Sequence, residues 1–159
     1  MYSDASWGDR EVRKSTTGYA VYLHGALIMW KSLKQTHVPT STCEAEYSAI
    51  CDCEIQLEWL QQLIKDLNMK WVKPVTVFCD NTAAQQLAGN QGVKTLSKHI
   101  NIRYNNVRVA VSNGFIKLEH CASECNIAEH VHHVHQMHRL SLCISGFHWD
   151  LSLQSKEEC

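Results

Sequence analysis

The sequence predicts an α/β fold: a mixed five-stranded sheet, three antiparallel strands followed by β-α-β crossovers, flanked by helices. Three observations carry this. The stretch from Thr40 to Leu67 sets Ile50, Cys53, Leu57, Leu60, Ile64 and Leu67 at alternating spacings of three and four, which stacks them on one helix face. Ahead of it, short alternating segments separated by turn residues read as strands. Behind it, the apolar run Val75 to Cys79 and a last strand, Phe115 to His120, are separated by helical stretches, the order that β-α-β crossovers produce.

In chain order, Tyr2 to Trp7 reads as the end of a strand, with Asp4 facing opposite to its neighbours. A charged loop, Gly8 to Thr17, follows. Gly18 to Leu23 alternates through Tyr19, Val21 and Leu23, His24-Gly25 makes a turn, and Ala26 to Lys31 forms the partner strand. Ser32 to Thr40 is a polar connector. Thr40, Ser41 and Thr42 are N-cap candidates for the long helix, and Ser41 with Glu44 fits a capping box. Glu44 and Glu46, two apart, point to different sides, so one can serve the cap while the other faces whatever the first turn packs against. Asn68 is a candidate stop. Pro74 opens Val75 to Cys79, with Asp80 and Asn81 at its end. Thr82 to Leu87 is a short helix bounded by Gly89-Asn90. Ile100, Tyr104, Val107 and Val111 mark another, stopped by Asn113-Gly114. Phe115 to His120 is the last strand, and Ile127 to Leu140 reads as helical. Residues 1–140 are therefore expected to form one domain, with 141–159 a tail of no readable periodicity.

Composition bounds the function. The 159 residues suit one domain with a real core, and 45% hydrophobic against 19% charged residues argues against disorder. A formal net charge of −1 supplies no general pull towards nucleic acid, so such binding would rest on local patches. No apolar run approaches the roughly 18 residues of a membrane span. The first residues, MYSDASWGDR, are no signal peptide, and with eight cysteines an intracellular protein with reduced thiols is expected.

In open sheets of this kind, ligands gather at the carboxyl ends of strands. Asp4 and Asp80 lie at such ends, and Glu46 begins the helix that crosses between them. Each alone could be a cap or strand-end residue. Converging, they would repel one another and raise their pKa values, so a hard divalent cation, Mg²⁺ or Mn²⁺, is the natural occupant.

Seven blocks in order carry a resemblance: Tyr2-Ser3-Asp4-Ala5-Ser6-Trp7, Arg13 to Tyr19, Trp30-Lys31-Ser32, Lys34-Gln35, Glu44-Ala45-Glu46-Tyr47, Cys79-Asp80-Asn81 and Lys98-His99-Ile100. Over roughly Met1 to Glu129 the chain resembles the ribonuclease H domain of copia-type LTR retrotransposon Pol polyproteins. The resemblance implies a ribonuclease H-like fold and hydrolysis of the RNA strand of RNA–DNA hybrids, beside a reverse transcriptase region of the same polyprotein. No membrane and no small-molecule cofactor enters. It implies four carboxylates holding two Mg²⁺ or Mn²⁺ ions, with Asp4 bridging, Glu46 and Asp80 on one ion and Glu129 on the other. Glu129 stands where the family has aspartate, which keeps the charge but moves the carboxylate out by one methylene. Lys31, Lys34, Asn81, Lys98, Arg103 and Arg108 are candidate nucleic-acid contacts, the cations as phosphate anchors. The family's first strand, central in its sheet, begins several residues earlier than Met1 stands before Asp4, so marginal stability is expected of the isolated chain.

Two further patterns stand in the sequence. Cys121, Cys125 and His130, His132, His133, His135 and His138 are zinc-type ligands, but on one helix only pairs such as His132 with His135 share a face, and the resemblance offers no precedent. Lys14, Ser15, Thr16 and Gly18 lack the glycine spacing of a phosphate loop. Two function classes follow: a hybrid-specific nuclease, or a non-catalytic relic or nucleic-acid-binding module that keeps the fold.

Overall fold

The computed structural model describes residues 1–8, 14–89 and 98–133, with side chains excepted at 98–102 and 132–133. The elements are β1 (Tyr2–Ser6), β2 (Thr16–Leu23), β3 (Ala26–Lys34), α1 (Thr42–Asp66), β4 (Val75–Cys79), α2 (Thr82–Gly89), α3 (Lys98–Ser112), β5 (Ile116–His120), a 3₁₀ turn at Ser123–Cys125, and α4 (Ile127–His133). The five strands form one sheet in the order β3-β2-β1-β4-β5. β2 runs antiparallel to β1 and β3, whereas β4 runs parallel to β1 and β5. This is the mixed sheet expected from the element order.

Local chemistry sets the turns. His24 and Gly25 both adopt positive φ, 51° and 80°, as a two-residue hairpin of the primed type demands. The α1 N-cap is Ser41, whose hydroxyl accepts the Glu44 amide at 3.1 Å. The reciprocal half of the expected capping box is displaced by one residue, because the Glu44 carboxylate accepts from Thr40 N at 2.6 Å and Thr40 Oγ1 at 2.7 Å rather than from Ser41. At the other end Asn68, with φ 56°, turns the chain out of the helix. The Met69 amide reaches Ile64 O and the Asn68 amide reaches Lys65 O, a Schellman closure. Gly114 closes α3 in the same way, with Phe115 N donating to Ala110 O.

β2 and β3 are longer than the alternation indicates. The ladder starts at Thr16↔Lys34, so Ser32 to Lys34, expected as connector, belong to the strand. β3 is a sheet edge, and an edge strand exposed to water reads as polar although its backbone is paired. The helical reading of 134–140 and the tail 141–159 lie outside the described residues.

The core forms where α1 and α3 cover one face of the sheet. Tyr47, Ile50, Cys53 and Leu57 of α1 are fully buried with Val77 of β4, Val107 of α3 and Ile116 of β5. The Tyr47 ring stacks on Tyr104 at 3.9 Å between centroids, and its hydroxyl donates to Tyr104 O at 2.9 Å. These contacts fix the rotation of α1 about its axis and thereby the direction in which Glu46, one residue before Tyr47, is presented.

Candidate metal centre

The site lies where the sheet divides. β1 pairs with β2 along its whole length, from Tyr2↔Ala20 to Ser6↔Thr16, but meets β4 in register only at Tyr2↔Phe78. Beyond that point the two parallel strands part. The Glu46 carboxylate occupies the gap, with Oε1 accepting the Ala5 amide at 3.1 Å. Asp4 reaches it from β1 and Asp80 from the residue that follows β4. One ligand oxygen from each of Asp4, Glu46 and Asp80 lies within 4.8 Å of the others. Asp4 and Glu46 are buried, and Asp80 is half-buried.

The electrostatics of this arrangement are unfavourable as three bare anions. Burial pushes the Glu46 carboxyl up to about 9, the charges of Asp4 and Asp80 add to the rise, and the Ala5 amide opposes it. Its second oxygen, Oε2, is buried without a hydrogen-bond partner. A buried carboxyl oxygen without a partner, in a group that two further carboxylates approach, calls for a proton or a cation. All donors are hard oxygen atoms, and their number suits an ion that keeps several waters, as Mg²⁺ does. The residues therefore fit a divalent cation.

Among the described residues, this trio is the group of three His, Cys, Asp or Glu side chains close enough to share an ion. Glu129, in the first turn of α4, stands outside it and is half-buried. His135 and His138 of the zinc-type pattern lie outside the described residues. Neither Cys121 nor Cys125 is joined in a disulfide, and burial pushes Cys121 up to about 12.

The nucleic-acid candidates separate. Lys31 and Lys34 are exposed on β3 but three residues apart, so they stand on opposite faces of the sheet. Lys34 shares the face of Asp4 through the pairs Asp4↔Gly18 and Gly18↔Ser32, whereas Lys31 lies opposite Tyr19 on the α1 side. Arg103 forms an ion pair with Asp52 of α1. Arg108 donates Nε to Leu87 O at 3.2 Å, tying α3 to α2. The Asn81 side-chain oxygen caps α2 by accepting Ala84 N at 3.0 Å. The Lys98 side chain lies outside the described residues.

Two residues that the sequence did not single out touch the site. Asn126 donates Nδ2 to Ser3 O at 2.9 Å and to Asp4 Oδ1 at 3.4 Å. Ser123 donates its hydroxyl to Asp80 Oδ2 at 2.8 Å. Asn126 just before a helix signals a cap, but its reach to a residue 122 positions earlier has no local signature.

A scan against protein-family models finds no match. Among solved structures, LC11 ribonuclease H1 in complex with an RNA/DNA hybrid superposes with a TM-score of 0.59 at 18% identity, over 82% of this chain and 90% of that one. Ribonuclease H1 from Halobacterium salinarum NRC-1 gives 0.53 at 16% identity, over 82% and 90%. The fold is that of ribonuclease H.

Among curated sequences, the Retrovirus-related Pol polyprotein from transposon RE1 of Arabidopsis thaliana is 35% identical over 129 residues, 80% of this chain and 9% of that one. The Pol polyprotein from transposon TNT 1-94 of Nicotiana tabacum is 33% identical over 150 residues, 92% of this chain and 11% of that one. The chain is a homologue of copia-type retrotransposon Pol polyproteins, and it spans about a tenth of the length of these relatives. Among the described residues, no helix is long and apolar enough to cross a membrane.

Proposed function

We propose that the chain is a ribonuclease H that hydrolyses the RNA strand of RNA–DNA hybrids, working at a reduced rate because its fourth carboxylate is Glu129. The observation that carries this reading is the convergence of Asp4, Glu46 and Asp80 where β1 and β4 part. Asp4, Glu46 and Asp80 would hold a first divalent cation, and Glu129 with Asp4 a second. Such ions, when bound, supply Lewis-acid stabilisation of a phosphoryl transition state and a water of lowered pKa. The chain's own part is to bring the four carboxylates to one scissile phosphate and to seat the hybrid. Lys31 and Lys34 serve as sequence-independent phosphate anchors at the open edge of the sheet, with Lys98 as a third. The rest of a Pol polyprotein, including its reverse transcriptase region, is the proposed partner. Mg²⁺-dependent cleavage of a labelled hybrid, beside single-stranded RNA and duplex DNA controls, tests the reading.

A pH dependence follows from Glu46. Its pKa of about 9 means that the metal-free protein carries a proton there at neutral pH. Cation binding must displace that proton, so affinity rises with pH by up to about tenfold per unit and levels off above about pH 9. Calorimetry in buffers of differing ionisation enthalpy will show close to one proton released per first ion bound at about pH 7. An affinity that is flat between about pH 6 and about pH 8 contradicts this account of Glu46.

A further inference from the structure

We infer that the turn from Cys121 to Asn126 is a positioning clamp for the cation site. Its two donors, Ser123 and Asn126, hold two carboxylates, Asp4 on β1 and Asp80 just past the end of β4. The inference rests on reading Asp4, Glu46 and Asp80 as cation ligands.

The need for a clamp comes from the sheet itself. β1 and β4 share a register pair only at Tyr2↔Phe78, so past that point the ladder does not set the separation of Asp4 from Asp80. The turn spans the opening. Its start is tied to β4 by Cys121 N donating to Cys79 O at 3.1 Å. Its body is closed by Cys125 N to Ala122 O at 2.9 Å and Asn126 N to Ser123 O at 3.0 Å. Its end is tied to β1 by Asn126 Nδ2 on Ser3 O at 2.9 Å.

From this frame each carboxylate receives one donor: Ser123 Oγ on Asp80 Oδ2 at 2.8 Å, and Asn126 Nδ2 on Asp4 Oδ1 at 3.4 Å. Asn126 is 1% exposed. Its own side-chain oxygen accepts Ala128 N at 3.2 Å, and its carbonyl accepts Glu129 N at 3.0 Å. The residue that steadies Asp4 thus also seats the first turn of α4, which carries Glu129. Donors of this kind orient a ligand before the ion arrives, so binding need not freeze it. Outer-shell partners of metal ligands typically account for about 10–100-fold in affinity. Ser123 and Asn126 are positioning residues, acting through Asp80 and Asp4.

The test is a Mn²⁺ titration of the whole chain, read by the loss of the free-ion paramagnetic resonance signal, for the parent and for Ser123→Ala, Ser123→Thr, Asn126→Ala and Ser112→Ala. Ser112 bonds within its own exposed helix end and serves as the control. Ser123→Ala and Asn126→Ala will each weaken Mn²⁺ binding by about tenfold or more. Ser123→Thr, which keeps the hydroxyl, will recover most of the affinity, and Ser112→Ala will not differ from the parent. Should Asn126→Ala fail to melt cooperatively, the Ser123 pair decides, since that side chain is exposed and its loss opens no core. A parent that binds Mn²⁺ with Ser123→Ala binding equally well overturns the clamp alone, as does a lowered melting temperature with unchanged affinity. A parent that binds no Mn²⁺ overturns the cation reading and the clamp with it.

Discussion

Glu46→Gln will yield a chain that unfolds less readily than the parent at about pH 8 and binds Mg²⁺ more weakly by over about tenfold. Glu46 has an ordinary value of 4.5 and is held at about 9 in the folded state. The sign follows from linkage. Below about pH 4.5 both states carry the proton and the group is neutral to stability. As pH rises towards 9 the unfolded chain releases its proton while the folded chain keeps it, so stability is progressively lost. Glutamine does not titrate, fits the same space, can accept the Ala5 amide and can donate towards Asp4 or Asp80. After allowance for relaxation and water entry, the gain at about pH 8 is on the order of 2 kcal/mol, and it vanishes at about pH 4.5. The same change removes an anionic ligand, so the loss of Mg²⁺ affinity will exceed the roughly tenfold that outer-shell partners command. Urea unfolding at the two pH values and a metal titration check both halves. A variant no more stable than the parent at about pH 8 would show that Glu46 is not held protonated.

Glu129→Asp will raise the rate of hybrid cleavage by at least about tenfold. Glu129 is seated on α4 by its backbone N–H donating a hydrogen bond to Asn126 O at 3.0 Å, so its backbone position is set by the clamp turn. What remains is side-chain length: one methylene moves the carboxylate by on the order of 1 Å, and a misplacement of that size can cost about a hundredfold. The residue is half-buried at the surface, so the change will leave the melting temperature nearly unchanged. Single-turnover cleavage of a hybrid, with substrate affinity measured separately, isolates the effect. A folded Glu129→Asp chain that binds hybrid but gains no rate would favour the reading of a binding module that keeps the fold.

The sheet and α1 were legible because their residues obey periods that survive without neighbours: alternation in β2, and threes and fours from Ile50 to Ile64. The convergence of Asp4, Glu46 and Asp80 was legible because strand ends and a crossover helix constrain where three residues can stand. Other features depended on packing that leaves no local trace. Arg103 and Arg108 read as candidate phosphate anchors on a helix, yet one pairs with Asp52 and the other reaches Leu87 O. Lys34 read as connector because an edge strand has water on one side. Ser123 and Asn126 gained their partners only when the end of β5 returned to β1 across the opened sheet.

The central claim meets its most direct test in one measurement: cleavage of a duplex whose RNA strand is end-labelled, by the Glu129→Asp chain, with Asp4→Asn in the same background as control. The account predicts that products form from the RNA strand of the hybrid alone, require Mg²⁺, and disappear with Asp4→Asn. Cleavage that survives chelation or the loss of Asp4, or that attacks single-stranded RNA as readily as the hybrid, would contradict it.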